Sequence, residues 1–246
     1  MKKIAFWGGI LVLILVLTWG YFYFDSTPSE TAEEAANSTS KMDVFEADNA
    51  LIFEPKESAE SESIILYPGA FIDALSYAPL AKQLANAGYK TYVVEMPFNL
   101  AVFGKNRAEP IISENSDEHF VIGGHSLGGV MASRFAAEHQ NEIEGVFFLA
   151  SYPDKKGDLK SAGIPVLSIT ATNDQVLNQD KYQESKKYLP QNDTTYVSIK
   201  GGNHAGFGSY GKQNGDGERT ISASSQTDQT ASSMISWLKT SVQNEK

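Results

Sequence analysis

The stretch HFVIGGHSLGGVMASRFAAEHQ, residues 119–140, decides the fold. It opens as an apolar run of strand length and closes as an amphipathic helix. The turn between them, Gly124-His125-Ser126-Leu127-Gly128, has the form G-x-S-x-G. A serine on so sharp a strand-to-helix turn needs small neighbours, because a side chain at Gly124 or Gly128 would crowd the backbone. The turn also sets Ser126 at a helix N-terminus, where free amides and the helix dipole favour developing negative charge. Ser126 is therefore the candidate nucleophile, with an ordinary tight turn as the bland alternative.

Outward from this stretch the same grammar repeats. Strand candidates are 50–55, 63–69, 90–97, 119–126, 144–151, 164–172 and 194–201. Several are continuous β-branched and aromatic runs, the pattern of parallel strands covered on both faces. Helix candidates lie between or after them at 76–87, 127–140, 178–188 and 224–243. Alternating strands and helices predict a single α/β domain over 44–246, a mostly parallel sheet flanked by helices.

A serine hydroxyl attacks only when a base takes its proton, and that base needs a third group to hold its tautomer. In a strand-serine-helix architecture the acid and the histidine follow the serine. The chain has 4 histidines. His119 and His125 precede Ser126, and His139 lies in the helix directly after it. His204, in KGGNHAGFG beyond the last strand candidate, is the candidate base. Asp174, in ATNDQV at the end of strand candidate 164–172, is the first choice for the acid. Asp154 in SYPD and Asp180 in a helix candidate are the alternatives. The oxyanion of acyl transfer needs two backbone donors. Leu127 supplies one as the residue after the nucleophile, and the turn Tyr67-Pro68-Gly69-Ala70-Phe71 offers Ala70, or alternatively Phe71, as the second.

The blocks YPGAF, GHSLGG, ATND and GGNH, in that order, resemble the α/β-hydrolase superfamily across residues 50–246. PFNLAVFG (97–104), GGNHAGFGSYG (201–211) and QNGDGERTIS (213–222) resemble blocks of small bacterial serine hydrolases. The resemblance implies Ser126 as nucleophile, His204 as general base and acid, Asp174 as its orienting partner, and Leu127 with Ala70 as the oxyanion amides. One departure is Tyr67-Pro68-Gly69, where many members carry His-Gly. The short connection between 151 and 164 implies a minimal cap or none. Phe71, Phe98, Phe103 and Phe207 are candidates for an apolar substrate pocket, with core packing as the alternative. No cofactor or metal is expected. The segment Gly206–Gly217 carries one acid, Asp216, too few oxygen ligands for calcium.

The N-terminus reads differently. Residues 4–24, IAFWGGILVLILVLTWGYFYF, carry no charge and follow Lys2 and Lys3. As a helix they would span about 30 Å, the thickness of a bilayer's hydrocarbon core. Residues 1–24 are thus expected to be a transmembrane anchor, with Trp7 and Trp19, Tyr21 and Tyr23 near the two interfaces. A cleaved signal peptide is the rival reading. Its apolar core is shorter and ends in small residues, whereas this run ends in Tyr21-Phe22-Tyr23-Phe24. The basic end faces the cytoplasm under the positive-inside rule, so the expected location is the cell membrane with the domain outside, or secretion if the segment is cleaved. Residues 25–43, polar and acidic, are expected to form a flexible stalk.

The full chain of 246 residues has 20 Lys+Arg, 30 Asp+Glu and no cysteine. The absence of cysteine excludes disulfides, thiolate metal sites and a cysteine nucleophile. The net charge of −10 argues against a nucleic-acid partner, which needs a basic face. The expected function is hydrolysis of a small-molecule or lipid-like carboxylic ester through an acyl-enzyme. Acyl transfer through the same residues, or a non-catalytic binding protein on the same scaffold, are the alternatives.

Overall fold

The computed structural model describes residues 27–47, 49–57 and 60–243. The expected anchor over 4–24 lies outside them, and no helix among the described residues is long and apolar enough to cross a membrane.

Among the described residues eight strands form one sheet: β1 (Met42–Ala47), β2 (Ala50–Pro55), β3 (Glu62–Tyr67), β4 (Thr91–Val94), β5 (His119–His125), β6 (Ile143–Leu149), β7 (Val166–Ala171) and β8 (Thr194–Ile199). Their order is β1-β2-β4-β3-β5-β6-β7-β8. The six from β4 to β8 run parallel, and β1 and β2 add an antiparallel edge. The helices are α1 (Glu30–Ala35), α2 (Ala78–Asn86), α3 (Ala108–Glu114), α4 (Leu127–Glu138), α5 (Gln179–Ser185) and α6 (Ala223–Trp237).

The continuous apolar strands serve two cores at once, because successive side chains point to opposite faces. Ile64 and Leu66 join Val121, Phe147 and Leu149 in the layer beneath α2 and α6, where Leu84, Met234 and Trp237 are buried. Ile65 and Tyr67 join Ile122, Val146 and Phe148 on the other face, beneath Met131 and Phe135 of α4. All seven expected strands are present. β1 was missed because it is an edge strand in which only Met42 is buried. The connection from β6 to β7 carries no helix longer than the short turn Lys155–Gly157, in line with a minimal cap.

The expected stalk needs correction. From Ser29 onward the chain is docked. Ala32 and Ala35 of α1 are buried, their small side chains letting the helix lie close to its neighbours. Ser29 caps α1 and is held outside it, its N–H donating to the Ser209 carbonyl at 2.8 Å and its hydroxyl 2.7 Å from that of Ser209. β1 then pairs with β2 along its whole length. A polar, acidic composition read as stalk because the alanine contacts carry no hydropathy signal of their own.

Candidate active site

The parallel register brings the C-terminal ends of β3, β5 and β6 to one edge, pairing Tyr67 with Gly124 and His125 with Leu149. Ser126 follows β5 at φ 51°, ψ −122°, a conformation that costs a non-glycine residue about 1–3 kcal/mol. Bonds to β6 and to the residue just beyond it help hold it there. The Ser126 N–H donates to the Leu149 carbonyl at 3.0 Å, and the Ser151 hydroxyl donates to the Ser126 carbonyl at 2.6 Å. The flanking glycines are required by contact: a Cβ on Gly124 would stand 2.4 Å from the Tyr67 carbonyl oxygen, and one on Gly128 2.2 Å from it.

His204 lies beyond β8 and is buried. Its Nδ1 is 2.9 Å from Oδ2 of Asp174, itself buried at the end of β7. The other carboxylate oxygen accepts the N–H groups of Val176 (2.9 Å) and Leu177 (2.8 Å), so the acid cannot swing away without leaving two amides bare. With Nδ1 committed to the carboxylate, Nε2 of His204 has no hydrogen-bond partner among the described residues. The ring stands 4.6 Å, centroid to centroid, from that of His125, the residue before Ser126.

The glycine-rich segment after His204 ties the two loops together. Asp216 accepts the Ala205 N–H at 2.9 Å through one oxygen and the N–H groups of Gly217 (2.8 Å) and Gln175 (3.3 Å) through the other. The buried Gln226 clamps Asn203 from behind, accepting its N–H and donating to its carbonyl.

The alternative acids lie elsewhere. Asp154 is engaged by the Arg134 guanidinium, which holds its carboxyl below the usual range, and it caps the turn Lys155–Gly157. Asp180 is exposed in the first turn of α5.

The Leu127 and Ala70 amides have no hydrogen-bond partner among the described residues, whereas the Phe71 N–H donates to the Asn99 carbonyl at 2.7 Å. Phe71 is therefore unavailable as an oxyanion donor. The four phenylalanines expected around an apolar pocket differ in exposure. Phe71 is half-buried beside Ala70. Phe207 is core, its ring 5.8 Å from that of His125. Phe98 and Phe103 correct the expectation most: they are 69% and 64% exposed and meet edge to face at the surface. Phe98 and Asn99 both adopt left-handed backbone, which turns the Asn99 carbonyl toward Phe71 and the Phe98 ring outward.

Sequence reading also missed Tyr77. Its buried hydroxyl accepts the Gly69 N–H at 2.8 Å and stands 2.9 Å from Nδ1 of His125. Which of the two groups donates in that second contact follows the His125 tautomer. Tyr77 thus links the turn before Ala70 to the turn before Ser126. No spacing in the sequence announces a contact across 48 positions.

Burial pulls the His125 imidazole well below its ordinary value of 6.5, and repulsion from His204 adds to this. A group depressed in the folded state contributes stability that is complete above its unfolded pKa and is lost as pH falls below it. Urea midpoints are thus expected to fall as pH drops below about 6.5, and His125→Gln to flatten that part of the profile. An unchanged profile in the variant would remove His125 as its source.

The model of the alpha/beta hydrolase family matches residues 63–228. No curated protein matches the sequence. Among solved structures, an esterase domain from a Rhodothermus marinus protein is 14% identical with a TM-score of 0.59, covering 82% of this chain and 98% of that one. A hyperthermophilic esterase from Pyrobaculum calidifontis is also 14% identical at TM-score 0.59, covering 85% and 88%. A soluble variant of the Saccharomyces cerevisiae monoglyceride lipase is 12% identical at TM-score 0.57, covering 83% and 96%. At such identities the likeness concerns the fold alone.

Proposed function

Because the chain belongs to the alpha/beta hydrolase family, we propose that it hydrolyses carboxylic esters through Ser126, His204 and Asp174, in a domain held outside the cytoplasm by residues 1–24. The observation that carries the chemistry is the buried His204–Asp174 pair, with Nε2 left unbonded next to the turn that holds Ser126.

The steps follow from the atoms. Asp174 fixes the His204 tautomer with the hydrogen on Nδ1, so Nε2 receives the Ser126 proton as Oγ attacks the acyl carbon. The oxyanion is met by the Leu127 and Ala70 amides, which are free to donate. Collapse returns the proton from Nε2 to the departing alcohol. Water then attacks the acyl carbon and gives a proton to the same nitrogen; collapse breaks the bond to Ser126 Oγ, which takes that proton back from Nε2 as the acid leaves. The esterases and the lipase among similar folds favour an ester over other acyl compounds. The uncharged run 4–24, preceded by Lys2 and Lys3, supports the anchor and its direction.

One experiment tests both parts. Membranes from cells expressing the full chain are washed with alkali and treated with a fluorophosphonate probe. The expected result is a labelled full-length band that disappears in Ser126→Ala. Equal labelling of that variant would overturn the nucleophile. A labelled soluble form beginning after residue 24 would overturn the anchor in favour of a cleaved signal.

A further inference from the structure

Pro97–Gly104 is a loop without a charged residue. It places three large apolar side chains in water within six positions: Phe98 (69% exposed), Val102 (47%) and Phe103 (64%). The other exposed large apolar residues, Phe45, Val176 and Tyr196, are scattered along the described chain. The loop is also fixed in place. The Asn99 carbonyl holds the Phe71 amide, and Phe71 adjoins Ala70, so this patch sits beside the candidate oxyanion turn. An apolar cluster held out of the core beside a site signals a surface that is covered in use.

The chain outside the described residues indicates what covers it. Ser29 is bonded to Ser209, five residues after His204. The Ser209 N–H in turn donates to the Ser76 carbonyl, next to Tyr77, whose hydroxyl holds Gly69. From Phe24, where the uncharged run ends, to Ser29 is five residues, which reach at most about 17 Å when fully extended. The chain thus leaves the domain at the same edge that carries Ser126, His204 and the exposed loop.

We propose that the loop Pro97–Gly104 is a membrane-contacting surface. Phe98, Val102 and Phe103 enter the interface of the bilayer that holds residues 4–24, and the Ser126 edge faces the lipid. This rests on the anchored-hydrolase reading above and narrows its substrate to an ester carried in the membrane. Short clusters of aromatic and aliphatic side chains bind such interfaces through the apolar area they bury there.

The absence of cysteine makes the test direct. Val102→Cys in the full chain takes an environment-sensitive fluorophore, and so does Gln140→Cys, an exposed position just past the far end of α4 from Ser126. Each is reconstituted into phosphatidylcholine vesicles containing lipid with a nitroxide on the acyl chain. Quenching at Val102 is expected to exceed that at Gln140 by about twofold or more, and Phe98→Ser with Phe103→Ser is expected to abolish the excess. Equal quenching at the two positions, or none at Val102, overturns the proposal. Fluorophosphonate labelling of Ser126 in the same vesicles separates the two readings. Labelling without quenching defeats the membrane surface alone, and quenching without labelling defeats the hydrolase reading while the surface stands.

Discussion

Ser126→Ala is expected to lower kcat for p-nitrophenyl acetate by about 10⁶-fold, and His204→Ala by a similar factor. The losses will not add. A nucleophile without its base, or a base without its nucleophile, leaves the same remainder, so the double variant is expected to match either single one. That remainder should stand about 10³–10⁴-fold above the reaction in water, because the proposed oxyanion donors, the unpartnered Leu127 and Ala70 amides, are untouched by the substitutions. Steady-state kinetics on the three variants measure this directly. A double variant much slower than both single ones would mean that Ser126 and His204 act independently.

Asp174→Asn is expected to cost about 10⁴-fold in kcat while leaving KM close to its original value. The amide keeps the shape of the carboxylate and can still accept from Val176 and Leu177. It then turns its NH₂ toward Nδ1 of His204, so the hydrogen moves to Nε2, where it cannot receive the Ser126 proton. Asp154→Asn is the contrast. It should retain the rate and lower the melting temperature, because Arg134 and the turn Lys155–Gly157 lose a charged partner. A reversal of the two rate effects would transfer the orienting role to Asp154.

The places of Ser126, Asp174 and His204 in the fold were legible because each lies where the fold leaves little choice. Ser126 needs glycines at 124 and 128, since the Tyr67 carbonyl occupies the space of any side chain there. Asp174 and His204 each follow a strand that ends at the same edge of a parallel sheet, and chain order did the rest. Aromatic residues in loops were not legible. PFNLAVFG reads the same whether its rings line a pocket or face water, and the outcome turned on two left-handed residues, Asn99 and Phe98, the second of a type that rarely adopts that conformation. Phe207 read as pocket but packs behind His125. Docking of Ser29–Ala47 was missed for a different reason. Ala32 and Ala35 bury little area each, and their value lies in closeness of approach, which composition does not record.

The clasp between Ser29 and Ser209 has a mechanical consequence. Any tension on the N-terminus reaches Ser29 before it reaches the paired strands β1 and β2, so the first bonds to bear load are the Ser29 amide and hydroxyl contacts to Ser209. Ser209 shares a short loop with His204, and that loop is braced by Asp216 and Gln226. Tension from that end therefore loads the histidine's own loop before it loads the sheet behind it.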